Sequence, residues 1–296
     1  MDEFPSRERE ADAALAPRVS AIVVVRGVST IAAKHALELS IRSALAEPWI
    51  DDLVIVDAGN APDVASSLRG VSMDRRDLRL IVAPAGASVG AAANLGAAQA
   101  RGRWLLFLSP DVVLQRGAAA RLASAGAVAT APWIVGGRLT DASGRDRSVA
   151  RIGALNTWSS IAVAVGWGGA PPRARPGRDE APAAVGAVSC AFMLVPRDDF
   201  QALGGFDELF DTDGADLDLC RRAAAAGGSV LFQGDASGVQ FARAYRRDRK
   251  LAQGLARFAL TSARTPFEKI FAVIAGPTIA TLLALRDFVG GRPPLR

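Results

Sequence analysis

The sequence predicts an α/β fold built on a doubly wound, mainly parallel sheet of Rossmann-like type, followed by a helical appendix. Short apolar runs rich in β-branched residues recur along the first half, as is typical of strands buried on both faces. Helical patterns separate these runs, and such alternation implies parallel strands joined by right-handed crossovers. With 296 residues, half of them apolar, the chain is long enough for one large domain of this kind.

The strand predictions for the first half rest on four apolar runs, 19–25, 53–56, 78–82 and 104–108. Ser29 is expected to cap a first helix that extends to about Ala46, because its hydroxyl can accept a backbone N–H there. The Gly/Ala-rich segment 86–102 precedes the fourth strand. It lacks the G-x-G-x-x-G spacing of a dinucleotide-binding loop, which argues against hydride transfer, and its small residues indicate a helix packed close to the sheet.

Two carboxylates follow strand ends in this half of the chain. Asp57 comes directly after the second predicted strand, and Asp111 follows the fourth. In a parallel sheet the carboxyl ends of the strands share one edge, and ligands bind there at the switch point of the strand order. We therefore expect Asp57 and Asp111 to face one crevice.

The most informative stretch is 186–222, which reads GAVSCAFMLVPRDDFQALGGFDELFDTDGADLDLCRR. An apolar strand over 188–195 is expected to lead into a short helix that begins at Pro196 and ends at Gly204-Gly205. A second helix is expected over 217–226. The acids around its start exceed what helix capping requires, and they are Asp211, Asp213, Asp216 and Asp218.

This stretch resembles the late motif of inverting family-2 glycosyltransferases, especially their rhamnosyltransferase-like branch. The family pattern "GGFDE…F…ED.DLC.R" corresponds to GGFDE at 204–208 and ADLDLCRR at 215–222. Two further segments resemble the same family, namely VIVDAGNAPD at 54–63 and GAAANLGAAQARGRWLLFLSPDVVLQRGA at 90–118. The likeness covers about 19–239 and continues more weakly into the tail.

The resemblance implies a GT-A-type fold and one direct displacement on a nucleotide-sugar donor, with Mg²⁺ or Mn²⁺ as cofactor. It implies that Asp57 and the strand end at Val25 bind the nucleotide base, that Asn94 matches a donor-side position, and that Asp111 holds the metal against the donor diphosphate. Asp216 matches the general base. The branch favours dTDP-rhamnose as donor, with UDP-sugars open, and a lipid-linked or cell-surface polysaccharide as acceptor.

Three further residues are expected on the acceptor side. Asp213 and Asp218 flank the predicted base, and Asp218 either orients it or helps to cap the helix. Trp167 lies in the Gly/Pro/Arg-rich segment 166–183, and long loops of this kind are either functional lids or disordered segments. The position of this segment just before the acidic stretch suggests a flap over the crevice. The Trp167 ring can stack on a sugar or pack into a neighbouring element, and the sequence leaves both open.

The chain departs from the family pattern at three polar positions. Ala215 replaces the Glu of the "ED" pair, Ser109 stands where many relatives have the first acid of D-x-D, and the region 237–241 holds no His. These departures keep a rival interpretation open. The protein would then be a catalytically silent homologue that binds glycan or a membrane partner and scaffolds a polysaccharide assembly.

The remaining segments give the expected domain organisation. Residues 1–16 are charged throughout and are expected to be a disordered start, not a signal peptide, 17–242 form the glycosyltransferase domain, and 243–296 form a basic amphipathic helical tail. Two cysteines, Cys190 and Cys220, indicate buried free thiols in a reducing compartment.

The tail has the composition of a segment that meets an anionic membrane. From residue 241 to 296 eleven Arg and Lys stand against three acids. The apolar stretch 270–285 is short for a span and is interrupted by Gly276-Pro277, so an interfacial helix and core packing both remain open. Without interleaved aromatic and basic residues, nucleic-acid binding is not indicated. The expected location is the cytoplasm, peripheral at the inner face of the cell membrane.

Overall fold

The computed structural model describes residues 19–73, 75–147, 151–152, 181–211, 214–241, 249–263, 265–270 and 273. The predicted disordered start, Trp167 with most of its loop, and Asp213 lie outside these residues, as does most of 270–285.

The strands and helices follow one another along the chain in the alternation that the sequence predicts. The strands are β1 Val19–Val25, β2 Ile50–Asp57, β3 Leu78–Val82, β4 Trp104–Leu108, β5 Val112–Leu114, β6 Trp133–Thr140, β7 Arg151–Ile152, β8 Ala183–Ala184, β9 Ala187–Val188, β10 Phe192–Pro196 and β11 Ser229–Gln240. The helices are α1 Ile31–Leu45, α2 Pro62–Ser72, α3 Val89–Gln99, α4 Ala118–Ala127, α5 Arg197–Ala202, α6 Ala215–Ala225 and α7 Arg249–Ser262.

The main sheet of the described residues has the order β3-β2-β1-β4-β10-β6-β11-β5, with β8 paired to β11. Strands β1 to β4 are parallel to their neighbours among themselves, whereas β10 lies antiparallel between β4 and β6. β7 and β9 form a separate antiparallel pair. The predicted doubly wound, mainly parallel sheet is therefore confirmed.

Both faces of the sheet are covered by helices. Ile22 and Val56 belong to the core on the face covered by α3 and α6, whereas Val23 and Ile55 belong to the core under α1, α2 and α4. Because alternate side chains of a strand point to opposite faces, a strand covered on both sides must be apolar throughout. This explains the continuous apolar composition of 21–25 in β1 and of 53–56 in β2.

Helix α3 approaches the sheet closely, as its small residues predicted. A Cβ at Gly96 would lie 2.7 Å from Cγ2 of Ile22 and 3.0 Å from Cγ2 of Val56. Real Cβ contacts are longer than this, so only glycine allows the observed distance between α3 and the strands. The Gly/Ala-rich segment thus serves helix–sheet packing.

The structure corrects three local predictions. Thr30, not Ser29, caps α1, because its Oγ1 accepts the N–H of Ala33 at 3.1 Å. The strand predicted over 188–195 is interrupted by a turn, closed by the N–H of Phe192 on the carbonyl of Ser189 at 3.2 Å, so β9 and β10 are separate. Helix α6 begins at Ala215, after Gly214 in the left-handed region with φ +98°.

A polar cluster closes the amino edge of the sheet. The carboxylate of Asp52, which is 6% exposed, accepts from Ser20 Oγ at 2.5 Å, from Arg79 Nη2 at 2.6 Å and from the N–H of Arg101 at 3.0 Å. Burial alone would raise the pKa of Asp52, but the hydrogen bonds from Ser20 and Arg79 outweigh it and lower that pKa. The cluster joins β1, β2 and β3 to the turn before β4.

No helix among the described residues combines the length and the apolar character that crossing a bilayer requires.

Candidate functional site

The strand order reverses between β1 and β4. From β1 the chain moves outward to β2 and β3, and it then returns through α3 to place β4 on the other side of β1. Loops that leave the carboxyl ends of two such strands diverge and open a crevice. Val25 pairs with Asp57, and Val23 pairs with Leu108, so Asp57 and the residues after Leu108 lie at this one edge.

Asp57 ends β2 and is 5% exposed. Its Oδ1 accepts from Asn60 twice, from the backbone N–H at 3.1 Å and from Nδ2 at 2.7 Å. Asn60 also donates from Nδ2 to the carbonyl of Val25 at 2.7 Å and accepts the N–H of Val28 at 3.1 Å. Asn60 was missed by sequence reasoning. The spacing of an acid and an amide three residues apart is the signal that could have indicated it.

The hydrogen bonds of Asn60 hold Val25 and Asp57, the two residues predicted to bind the nucleotide base, in fixed positions. The Val25 side chain is fully buried, and its carbonyl accepts from Asn60 and from the N–H of Ala58 at 2.9 Å. Asn60 therefore locks the end of β1 to the end of β2. The nucleotide contacts of Asp57 and Val25 stay predictions, but the two strand ends that would make them form one rigid unit.

Asp111 stands in the loop between β4 and β5 and is partly exposed. Its Oδ1 accepts from Ser109 Oγ at 2.5 Å and from Gln240 Nε2 at 3.4 Å, while its carbonyl accepts the N–H of Phe241 at 2.9 Å. The end of β11 thus meets the end of β4 at the same sheet edge. Gln240, in the region where the family resemblance leads one to expect a His, is the polar side chain that reaches Asp111.

Asp216 lies in the first turn of α6 and is partly exposed. Its Oδ2 accepts the N–H of Cys190 at 3.1 Å. Cys190 lies just before β10, and Phe192, the first residue of β10, pairs with Leu108 at the end of β4. In the same turn the carbonyl of Ala191 accepts the N–H of Ser109 at 2.9 Å. This chain of contacts brings Asp216 to the edge where Asp57 and Asp111 lie.

Asn94 lies in α3 and contacts the Gly-Gly-Phe-Asp-Glu segment. Its Nδ2 donates to the carbonyl of Phe206 at 2.9 Å and to Oε1 of Glu208 at 3.0 Å, and its Oδ1 accepts the N–H of Phe206 at 2.9 Å. Both ends of the amide are therefore engaged with this segment, which follows Asn94 by more than a hundred residues. Its donor contact stays a prediction, and its observed contacts join two of the motifs that the family resemblance rests on.

Asp218 is 3% exposed and is held by two arginines. Its Oδ1 lies 2.7 Å from Arg221 Nη2, and its Oδ2 lies 2.7 Å from Arg222 Nε. Arg222 also donates to the carbonyl of Gly205 at 2.7 Å. Asp218 thereby connects α6 to the Gly-Gly-Phe-Asp-Glu segment. Its acceptor-side role stays a prediction, and these contacts favour the alternative that it supports the helix.

Arg26 brings a cation to the same edge, directly after β1. Its Nη1 lies 2.9 Å from Oδ1 of Asp211, and the carbonyl of Asp211 accepts the N–H of Val89 at 3.0 Å. The segment that leads to α6 is thereby tied to the loop after β1 and to the start of α3. The sequence pattern alone did not indicate this contact of Arg26.

The two cysteines are free, but only Cys220 is buried as predicted, and Cys190 is partly exposed at the site edge. Burial raises the pKa of the Cys220 thiol to about 12. A thiol with such a pKa stays protonated at neutral pH and is a poor nucleophile. Cys220 therefore belongs to the packing of α6.

The donor set at Asp111 decides which kind of metal site fits. Among the residues that the structure describes, no group of three or more His, Cys, Asp or Glu side chains is arranged to hold a metal ion. Mg²⁺, however, is usually bound by one or two carboxylates together with substrate phosphates and water. Asp111, whose Oδ1 accepts from the hydroxyl of Ser109 and from the amide N–H of Gln240, supplies one carboxylate of the kind that a substrate-completed metal site uses.

Neither a protein-family model nor a curated protein matches the sequence. Among solved structures, the fold is similar to GalNAc-T7 with UDP, GalNAc and Mn²⁺, at a TM-score of 0.61 and 12% identity. It is also similar to a mannosyltransferase from Pyrobaculum calidifontis in complex with GDP-Man and Mn²⁺, at a TM-score of 0.56 and 18% identity. S. aureus TarS residues 1–349 with UDP-GlcNAc gives a TM-score of 0.52 and 12% identity.

The alignments cover 94%, 94% and 92% of this chain, respectively. The chain spans only 58% of the GalNAc-T7 chain, and 77% and 73% of the other two. At these identities the likeness concerns the fold. Together with the mainly parallel sheet described above, it identifies the architecture of this chain as the GT-A glycosyltransferase fold.

Proposed function

We propose that this protein is an inverting glycosyltransferase that moves a sugar from a nucleotide-sugar donor to a lipid-linked or cell-surface polysaccharide acceptor. The observation that carries the proposal is that Asp57, Asp111 and Asp216 all lie at the carboxyl edge of one sheet, which has a switch point in its strand order. The nucleotide sugars in the crystallised neighbours support a donor of this class. The rhamnosyltransferase-like motif favours dTDP-rhamnose, with UDP-sugars as the alternative.

The reaction is one displacement at the anomeric carbon. The acceptor hydroxyl oxygen forms the new bond, its proton passes to the carboxylate of Asp216, and the nucleoside diphosphate leaves with the electron pair of the broken bond. Asp57 accepts the imide N–H of a uracil or thymine base, since an ionised carboxylate is an acceptor. Asn60 holds Asp57 and the β1 end in place for this contact.

Asp111, with Gln240 and Ser109 beside it, would hold Mg²⁺ or Mn²⁺ together with the donor diphosphate. When bound, a divalent cation neutralises the charge that develops on the leaving diphosphate. Two of the neighbours were crystallised with Mn²⁺, which supports a divalent cation here. Arg26, 30% exposed and paired with Asp211, places a guanidinium at the same edge.

We further propose that the protein works at the inner face of the cell membrane, with 243–296 as the segment that meets the lipid. The support is the surplus of +8 between residues 241 and 296. A lipid-linked acceptor would be presented at that surface.

The direct test is a thermal-shift panel of dTDP, UDP and GDP sugars with and without Mn²⁺, followed by transfer assays with the donors that bind. A ligand at a hundred times its dissociation constant raises the free energy of unfolding by about 2.7 kcal/mol, which a melting curve resolves easily. A panel without any stabilising nucleotide sugar would contradict the proposal.

The silent-homologue alternative keeps one specific support. Ser109 and Ala215 lack the carboxylates that the family resemblance implies there, and Gln240 reaches Asp111 in the region that resembles the position of a His. Binding of a donor without transfer to any lipid-linked acceptor would favour this alternative over the enzyme.

A further inference from the structure

A short helix after α7 presents an apolar face to solvent. Thr265 and Glu268 cap it reciprocally, with the N–H of Glu268 on Thr265 Oγ1 at 3.2 Å and the N–H of Thr265 on Glu268 Oε2 at 3.1 Å. Residues 266–270 and 273 are helical. Phe267, Ile270 and Val273 are 68%, 61% and 59% exposed, and their spacing of three places them on one side of the helix. We call these three residues the apolar stripe.

The charge around the apolar stripe favours a lipid surface over a protein partner. Lys269 is exposed beside the stripe, and the last 56 residues of the chain carry the +8 surplus. An amphipathic segment with apolar side chains and neighbouring cations lies in the interface of a bilayer that contains anionic lipid. A second copy of this chain would bring the same positive charge and would be repelled.

Helix α7, which precedes this segment, packs against the residues that lead to Asp216. Phe258 of α7 is 1% exposed, so the helix contributes to the core. Arg257 Nη2 lies 3.3 Å from Oδ2 of Asp207, and its guanidinium carbon lies 5.3 Å from the ring centre of Phe210. Gly214 lies so close to α7 that a Cβ there would come within 3.2 Å of the carbonyl of Gly254.

Asp207 links α7 to the turn at 207–210, which precedes α6 in the chain. While Oδ2 of Asp207 meets Arg257, its Oδ1 accepts the N–H of Leu209 at 2.9 Å, and its carbonyl accepts the N–H of Phe210 at 3.2 Å. The turn at 207–210 is followed by Asp211, which holds Arg26, and then by α6 with Asp216. An α7 that stays packed therefore keeps this turn ordered.

We propose that the apolar stripe docks on anionic lipid and that docking stabilises the packing of α7 on Asp207, Phe210 and Gly214, so that the membrane orders the turn at 207–210. Lipid that restrains the apolar stripe favours the packed state of α7, and a ligand shifts an equilibrium by its preference for one state. Lipid docking and ordering of the turn do not depend on the proposed function. Only their consequence rests on it, namely that an ordered turn helps to place Asp216 at the acceptor.

The experiment uses the full chain with vesicles of phosphatidylglycerol and phosphatidylcholine, or of phosphatidylcholine alone. Co-sedimentation measures docking, and hydrogen exchange of the Leu209 and Phe210 amides measures order in the loop. Neither readout needs donor or acceptor, so both remain informative if the protein transfers no sugar. We expect binding to the anionic vesicles and slower exchange of both amides on them. Equal binding to neutral vesicles would contradict the choice of anionic lipid.

Four variants separate the two parts of the proposal. Phe267→Ser with Ile270→Ser should lower the vesicle partition by more than about tenfold, whereas Ile31→Ser, a change at an even more exposed apolar residue in α1, should not affect it. Lys269→Gln should lower it about fivefold. Arg257→Gln should still bind vesicles but should lose the vesicle-dependent slowing of exchange.

Three results would overturn the proposal. Vesicle binding without slower exchange at Leu209 and Phe210, or the same slowing in Arg257→Gln, would show that α7 does not carry the effect. A wild type that is dimeric in sedimentation velocity, with a monomeric Phe267→Ser and Ile270→Ser variant, would show that the apolar stripe pairs two copies and does not meet lipid.

Discussion

Asp216 occupies a position where a structural and a chemical role can be separated. It lies in the first turn of α6, where a carboxylate is favoured by the helix N-terminus, and it accepts the N–H of Cys190. An asparagine can still accept that N–H through its amide oxygen, but it cannot take up a proton from an acceptor hydroxyl. The side chain can therefore lose its chemistry while the contact that positions it is kept.

We predict that Asp216→Asn melts and binds donor like the wild type, with turnover lowered at least about a hundredfold, the lower end of general-base contributions. Steady-state transfer assays and a thermal melt measure the two effects. Wild-type turnover in this variant would mean that the base lies elsewhere, with Asp213 and Asp218 as the next candidates. Of these, Asp218 has both oxygens engaged by arginines.

Substitutions at Asp57 and at Asp111 should change nucleotide binding in different ways, because only Asp111 is placed at the proposed metal site. We predict that Asp57→Ala weakens nucleotide binding with and without Mn²⁺, whereas Asp111→Ala removes only the Mn²⁺-dependent part. Calorimetric titration with the nucleoside diphosphate in both conditions measures this. If Mn²⁺ strengthens binding to Asp111→Ala as much as to the wild type, Asp111 is a turn residue without a metal role.

At the scale of the element, the close approach of α3 to the sheet explains why this helix contains Gly96. Gly96→Ala should raise intrinsic helix propensity, yet its Cβ would meet Ile22 at 2.7 Å and Val56 at 3.0 Å. We predict that overpacking dominates and lowers the free energy of unfolding by about 1–3 kcal/mol. Urea denaturation followed by circular dichroism measures the change.

The matched control for this prediction is Gly70→Ala in α2. A Cβ at Gly70 meets nothing within 4 Å, so the same change there should raise the free energy of unfolding by about 0.5–1 kcal/mol. If both variants are stabilised, α3 can move away from the sheet and its glycine is not required for packing.

The elements also show what the sequence could predict. Strand β4 was predicted with its observed bounds, because a strand buried on both faces is a continuous apolar run. The same rule failed over 188–195, where an apolar run contains a turn. Pairing of Phe192 with Leu108 begins only after that turn, and nothing in the local composition reveals it.

Residues of the candidate site could be predicted only where the local sequence pattern determines their position. Asp57 and Asp111 follow from strand ends, which the sequence displays. The contact of Gln240 with Asp111 and that of Asn94 with Phe206 join residues more than a hundred positions apart. Helical and strand periodicity carry no information on such pairs, so these partners had to come from the tertiary structure.

At the scale of the whole molecule, the two edges of the sheet have different roles. The carboxyl edge gathers Asp57 at the end of β2, Asp111 in a loop and Asp216 at the start of α6. The amino edge holds the buried cluster of Asp52, Ser20 and Arg79. The cluster fastens three strands to one another far along the sheet from the crevice loops. The stability of the fold should therefore depend on a carboxylate that has no part in the chemistry.

The contribution of Asp52 to the free energy of unfolding should depend on pH and should decrease as the pH falls. Its pKa in the folded protein is lowered from the ordinary value of 3.8, despite burial, by hydrogen bonds from Ser20 and Arg79. An acid with a lowered folded-state pKa stabilises the fold above its unfolded pKa, and this contribution is lost as the pH falls through the folded pKa.

We predict that Asp52→Asn lowers the free energy of unfolding at pH 7 by about 3–5 kcal/mol, since it leaves Arg79 without its carboxylate. The gap between wild type and variant should narrow as the pH falls below 3.8. Urea melts of both proteins across this range, with Asp77→Asn as an exposed control for another lowered carboxyl pKa, measure the gap. A gap that stays constant down to the lowest pH would mean that Asp52 contributes through packing and not through its charge.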